Sequence, residues 1–329
     1  MTRNLFFAMF FAALADFTTA GIPDAGGVVP STFDADRVYV RLTSPDSNSP
    51  LVFYTDTGGG LVLSRDALAR LKMKTRTVTD PDAIAELGPN AQVVDARAFN
   101  SAIDGPKLPD DTFLVVVPEV RQIAEWPKQE DGILGEAWFG GHVWTWNYPG
   151  RQLILRSPGW HPEGDARSFS VRFKTDAQGR PVTNFPGIKV QIDGQTIPML
   201  LDTGAETLLT APSLSKIGDG GPLFRATSMI AKSLFDRWHS SHKDWRVVED
   251  AQVATHAAMI EVPELAIGDL KVGPVWFTER PDANFHEFMS KMMASQVEGS
   301  LGGNAFHDLV LTLDYPQARG WVTRGKPQP

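Results

Sequence analysis

Two aspartates in matching surroundings are the residues of this 329-residue chain best suited to chemistry. One lies in Tyr54-Thr55-Asp56-Thr57-Gly58-Gly59-Gly60, the other in Leu200-Leu201-Asp202-Thr203-Gly204-Ala205-Glu206. Each follows a short apolar run and precedes another, Leu61-Val62-Leu63 and Thr207-Leu208-Leu209. A single Asp-x-Gly is a common turn signal. Two copies in like contexts point to a pair of carboxyls presented on matching turns. Two carboxyls about 3 Å apart cannot both ionise and therefore share one proton. Such a pair can activate water: one member accepts a proton from it while the other donates a hydrogen bond to the bond under attack. Titration then belongs to the pair, and the base role is assigned to Asp56 and Asp202 jointly.

The elements that must position these residues also repeat. Downstream of the first copy lie Asp131-Gly132-Ile133-Leu134-Gly135, Phe139 and Asn147-Tyr148-Pro149. Downstream of the second lie Glu298-Gly299-Ser300-Leu301-Gly302, Phe306 and Asp314-Tyr315-Pro316. Phe139 to Asn147 and Phe306 to Asp314 are the same step. A last apolar run closes each half, Leu153-Ile154-Leu155 and Trp321-Val322. Ordered recurrence of this kind marks diverged copies of one unit. Asp56 to Gly135 is 79 positions and Asp202 to Gly302 is 100, so the second half carries about 21 extra residues. They are expected within Ser213–Trp245, partly as a helix over Ala226–Trp238.

Composition agrees with a β-rich globular chain. Charged residues are 21% and hydrophobic ones 42%, while 29 glycines and 24 prolines punctuate many short apolar runs. The net charge of −8 and the lack of a basic stripe argue against a nucleic-acid partner. Arg3, the apolar run Leu5–Leu14 and the small residues of Ala13-Leu14-Ala15 read as a secretory signal over residues 1–15, too short to span a bilayer. Its removal takes one Arg and no acid, moving the charge from −8 to −9. The absence of cysteine excludes disulfides and a lipidated cysteine, and export without disulfides suggests a bacterial periplasmic or secreted protein. No stable membrane anchor is expected after that cleavage. Residues 16–36 are expected to be a flexible lead-in, 37–156 an N-terminal lobe, 157–168 a linker, and 169–329 a C-terminal lobe. Asp193-Gly194 predicts a hairpin turn. Arg65–Lys74 predicts a short helix.

At the two Asp-Thr-Gly loops and the two Gly-bearing segments the chain resembles the aspartic peptidases, both the bilobal pepsin-like enzymes and the retroviral-type peptidases that dimerise. The likeness runs from about Val38 to Val322. Leu-Leu-Asp202-Thr203-Gly204-Ala205 is similar to the retroviral-type motif, and Leu208-Leu209-Thr210-Ala211-Pro212 to the pepsin continuation. The resemblance implies an all-β fold of two homologous β-barrel-like lobes with a central cleft. It implies an endopeptidase with Asp56 and Asp202 as catalytic residues, a polypeptide substrate, no cofactor, no metal, and a monomer that completes its own pair. Thr57 and Thr203 are expected to hydrogen-bond across the lobe interface. Gly58 and Gly204 are expected to bring backbone N–H groups to the carboxyls, and Gly135 and Gly302 to let a strand pass beneath each loop.

The chain also departs from the family. The residue after Asp-Thr-Gly, usually Ser or Thr in pepsin-like enzymes, is Gly59 or Ala205. Loss of both hydroxyls predicts a less acidic optimum than pepsin's, about pH 5–6. No tyrosine lies between Tyr54 and Tyr148 to serve on a flap. The covering hairpin is expected within Thr77–Ile103, with Phe99 or a tryptophan over the substrate. The retroviral-type arginine is replaced by Gly303. Glu206 stands where that group carries a substrate-contacting aspartate, and together with Gly59 and Ala205 it is assigned to substrate binding or, for its own part, to plain solvation. His239 and His242 have helical spacing but no third ligand and read as a solvated helix end. The rival to an active peptidase is an exported protein of the same fold that binds peptide without cutting it, or that cuts one narrow substrate.

Overall fold

In the computed structural model, which describes residues 26–120, 130–162 and 164–325, the short β-branched and aromatic runs become strands of three large sheets. The expected signal segment lies outside the described residues. The first half builds an eight-stranded sheet. At its centre Leu51–Thr55, which leads into Asp56, runs parallel to Gly132–Leu134. That strand is antiparallel to Val62–Ser64, which in turn is parallel to Phe113–Val117. The second half repeats the arrangement within a nine-stranded sheet. Gln195–Asp202 is parallel to Gly299–Gly302, next comes Ser228–Ala231 antiparallel, then Val275–Arg280 parallel. Asp193 (φ 48°) and Gly194 (φ 72°) make the tight turn between Gly187–Ile192 and Gln195–Asp202, as the sequence signal requires.

The third sheet joins the halves. Its six strands run Gly27–Val29, Gln152–Arg156, Val143–Asn147, Leu309–Asp314, Arg319–Arg324 and Arg167–Ser170. The two strands that end before the paired Tyr-Pro steps lie antiparallel at its middle, Trp144 opposite Leu313 and Trp146 opposite Leu311. Trp138, Trp144 and Trp146 are fully buried beside Phe139, so these indoles are core packing. Each sheet has an open strand order with two edges. The expected β-barrel-like closure is absent among the described residues.

Three other expectations are corrected. The stretch assigned to a flexible lead-in is strand over Gly27–Val29 and Ser31–Asp34. Val29 and Phe33 bury there, and their pairing covers the edges of Gln152–Arg156 and Arg37–Leu42. Gly and Pro punctuation hid two very short alternating runs. Thr77–Ile103 is largely two short helices, Pro81–Leu87 and Ala96–Ala102, around the strand Gln92–Asp95, whose antiparallel pairing with Arg76–Thr77 is two residues long and forms the edge of the eight-stranded sheet. Phe99 is fully buried edge-on to Phe53 and cannot reach a substrate. Finally, Ser228–Ala231 is strand, and the helix begins later, at Lys232–Ser241, burying Leu234, Phe235 and Trp238. The slot between Gly299–Gly302 and Val275–Arg280 demands a strand there, which overrides local helical character.

Registry locates the extra residues of the second half. Val62 faces Ile133 and Val115, while Met229 faces Ser300 and Thr278, so Val62 and Met229 hold the same place. Val62 to Ile133 and Met229 to Ser300 are both 71 positions. Asp56 to Val62 is 6, whereas Asp202 to Met229 is 27. The difference of 21 is the whole excess, and it falls at Glu206–Ala226, ahead of most of the expected Ser213–Trp245. These residues form a hairpin, Glu206–Leu208 paired with Phe224–Ala226, closed over the helix Ala211–Ile217. Its base is stapled by Thr227 N–H donating to Ala205 O at 3.0 Å. Leu209 and Ile217 pack with Val248, Ala251 and Met259 in a satellite core. Among the described residues no helix is long and apolar enough to cross a membrane.

Candidate active site

Each aspartate sits where its strand runs out beside a parallel neighbour. Asp56 N–H donates to Leu134 O at 3.0 Å, which pins the start of the first loop. The two loops then turn alike: Gly59 N–H donates to Asp56 O at 3.1 Å and Ala205 N–H to Asp202 O at 3.2 Å. Backbone N–H groups also reach the carboxylates, from Gly58 to Asp56 Oδ1 at 2.9 Å and from Gly204 to Asp202 Oδ1 at 3.1 Å. The loops meet face to face. A Cβ on Gly58 would stand 2.6 Å from Asp202 Cγ, and one on Gly204 would overlap the Asp56 carboxyl. Both positions must therefore be glycine for the carboxyls to approach.

The threonines hold the loops together. Thr57 Oγ1 accepts from Thr203 N at 2.9 Å and donates to Leu201 O at 2.8 Å, while Thr57 N–H reaches Thr203 Oγ1 at 3.3 Å. Both side chains are fully buried. Tyr54 adds a link that sequence reading did not assign. Its hydroxyl donates to Gly204 O at 3.0 Å, carrying the first half onto the second loop. Period-two alternation puts Tyr54 on the same face as Asp56, which was the available signal.

The carboxyls are half-buried and close enough to hydrogen-bond each other. Burial, then the charge of Asp56 and the hydrogen bond with it, push the Asp202 pKa well above the usual carboxylate range; the Gly204 N–H opposes this. That is the behaviour of two like charges that must share a proton.

The remaining assigned residues fall as follows. Gly59 presses on its own loop: a Cβ there would overlap Asp56 Oδ2. Ala205 is buried and closes the base of the hairpin insertion, and Glu206 is the hairpin's first residue, opposite Ala226. Gly135 runs beneath the first loop, with Glu136 N–H donating to Gly59 O at 2.8 Å. Gly302 runs against Thr227 O, because the insertion has moved the chain equivalent to Gly60 to Thr227. His239 and His242 do not come together as ligands: His242 stacks on Trp245 and pairs with Asp193, and His239 lies edge-on to Phe235. Among the described residues no cluster of His, Cys, Asp or Glu suits a metal ion.

The residue after each Gly-bearing segment faces the other half. Glu136 is buried, and its Oε2 accepts from Asn184 N at 2.7 Å. Burial pushes its pKa up to about 7 against the hydrogen bonds from Asn184. The counterpart, Gly303, lies against Asp36 O, where a Cβ would not fit. Asp36 there pairs with His307 at 2.8 Å and raises its pKa to about 9. Arg37, also buried, lays its guanidinium 4.0 Å from the ring centre of Phe224 on the insertion.

No protein-family model matches the chain, and no curated protein matches it in sequence. Its fold is similar to that of solved structures. One is the crystal structure of an aspartic proteinase from Irpex lacteus, with a TM-score of 0.50 and 10% identity, covering 92% of this chain and 98% of that one. The chain thus has a mostly β fold of the aspartic proteinase kind.

Proposed function

We propose that this protein is an aspartic endopeptidase that hydrolyses peptide bonds with water activated between Asp56 and Asp202. The observation that carries this reading is the pair of Asp-Thr-Gly loops set face to face and tied by Thr57 and Thr203. The ionised member takes a proton from water as its oxygen attacks the scissile carbonyl. The protonated member gives its proton to the carbonyl oxygen. As the C–N bond breaks, the member that took the proton from water passes it to the leaving nitrogen and the other recovers a proton from the diol hydroxyl, so the pair again holds one proton. Glycines at 58 and 204 permit the close approach, and the buried threonines hold the separation. In this reading residues 37–156 and 169–329 act as two lobes around a cleft, the mature chain works as an exported monomer after loss of residues 1–15, and no metal or cofactor takes part.

A second reading draws on the Thr77–Ile103 segment, where helices leave only a two-residue antiparallel pairing of Arg76–Thr77 with Gln92–Val93, and on Phe99, which is withdrawn into the core. It makes the protein an enzyme for one narrow substrate, or a binder of peptide without turnover. Incubation with a diverse peptide library from pH 3 to 8, with and without pepstatin, beside Asp202→Asn, separates them. Cleavage that vanishes in the variant supports the peptidase. A folded protein that cleaves nothing at any pH rejects broad endopeptidase activity and leaves the second reading.

A further inference from the structure

The strands that pass beneath the two loops, Gly132-Ile133-Leu134 and Gly299-Ser300-Leu301, differ at one position. In the parallel register Ile133 lies opposite Tyr54 and Ser300 opposite Leu200, two residues before Asp56 and Asp202 respectively. Across the antiparallel neighbour, Ile133 faces Val62 and Ser300 faces Met229. The positions are equivalent, yet one is aliphatic and the other carries a hydroxyl. Ser300 is 1% exposed, and its Oγ has no hydrogen-bond partner at normal distance. A buried hydroxyl left unpaired is costly, so an unpaired one needs a reason. Its lateral neighbours Leu200 and Met229 offer no side-chain oxygen. Around Leu200 the packing is apolar too, from Phe185, Phe285, Met289 and Val297. Alternate residues of a strand share a face. Ser300 therefore shares its face with Gly302 and, across the register, with Asp202. The acidic side chain within reach on that face is Asp202.

We propose that Ser300 is a positioning residue for the Asp56–Asp202 pair, donating a hydrogen bond from Oγ to the Asp202 carboxyl. It rests on the pairing of these aspartates proposed above. Ser300 replaces, from the strand beneath, the hydroxyls that Gly59 and Ala205 cannot provide from the loops. Position 59 cannot regain one, because a Cβ there would overlap the Asp56 carboxylate. The bond favours the charged form of Asp202, opposing the burial that raises its pKa. The first half has no equivalent, since Ile133 has nothing to donate. The pair is therefore asymmetric, with its extra stabilisation of charge on the second-half side.

The test uses the full mature chain with aspartate labelled with 13C at its carboxyl carbon, the Asp202 signal being assigned from Asp202→Asn. Titrations of wild type, Ser300→Ala, Ser300→Cys and Ser300→Thr are compared. Ala and Cys remove the strong donor, and Cys also keeps the volume in case Ala perturbs folding. Thr keeps the hydroxyl. The expected result is a rise of about one pH unit in the carboxyl titration for Ala and Cys, with Thr near wild type. The acidic limb of the kcat/KM profile on a cleaved peptide is expected to move by the same amount. Titration unchanged in a folded Ser300→Ala or Ser300→Cys protein overturns the proposal. A wild type that cleaves no peptide but shows the shift sinks the peptidase reading while leaving the role of Ser300 standing.

Discussion

At the residue scale the loops are unequal despite their shared tripeptide. Thr57 Oγ1 both accepts from Thr203 N and donates to Leu201 O, whereas Thr203 Oγ1 accepts the longer 3.3 Å bond from Thr57 N. Thr57→Val leaves two buried backbone groups unpaired and is expected to cost about 2–4 kcal/mol in urea unfolding, against about 1 kcal/mol for Thr203→Val. Equal losses would show that the grip is symmetric in solution. Gly59→Ser would place a hydroxyl beside the Asp56 carboxyl. Its Cβ falls on Asp56 Oδ2, so the carboxyl must move. On the peptidase reading proposed above, peptide cleavage is expected to drop more than about 10-fold, since small misplacement of reacting groups is costly. An active Gly59→Ser enzyme with a more acidic optimum would contradict that.

At the scale of elements, the hairpin over Glu206–Ala226 is the largest difference between the halves. Ala205 and Thr227 are hydrogen-bonded neighbours at its base, so the chain can be shortened there without moving the sheet. Replacing Glu206–Ala226 by two glycines is expected to leave the Asp202 strand folded. It uncovers Val248, Met259 and Trp276 by removing Leu209 and Ile217. It also removes Phe224, on which Arg37 rests. Loss of several buried apolar side chains is expected to cost about 3–6 kcal/mol, read as a lowered urea midpoint. A variant that never folds would mean that the hairpin is needed to place the second loop.

At the scale of the whole molecule, the shared six-stranded sheet makes each half depend on the other. Residues 26–156 expressed alone would present Val143–Asn147 as an unpaired edge, with its Leu309–Asp314 partner gone. Such an edge invites aggregation, and sedimentation is expected to show oligomers in place of a monomer. Glu136 couples the same junction to pH. Its folded pKa of about 7 is above its ordinary 4.5, so the folded state holds the extra proton between those values. Stability from this group is therefore highest below about pH 4.5 and falls as pH rises to 7, by at most about 3 kcal/mol. Glu136→Gln is expected to flatten that slope and to raise the melting temperature at pH 7.5 relative to wild type. A steeper slope in the variant would refute the assignment.

The sequence by itself determined the two aspartate loops, their glycines and threonines, and the order of the flanking strands. These rest on local requirements, which a tripeptide, a turn residue or an alternating run can carry. It also determined that the second half is longer by 21 residues, since counting needs no coordinates. Where those residues go was decided by strand registry, which pairs Met229 rather than Leu208 with the place held by Val62. The strand Gly27–Val29, which pairs with Leu153–Leu155, and the open order of the sheets were likewise settled by long-range pairing, which no local window contains. The contacts of Tyr54, Glu136 and Ser300 belong to the same class. Each is an ordinary residue in the linear chain, and only the packing of distant strands brings it to a carboxyl or to the opposite half.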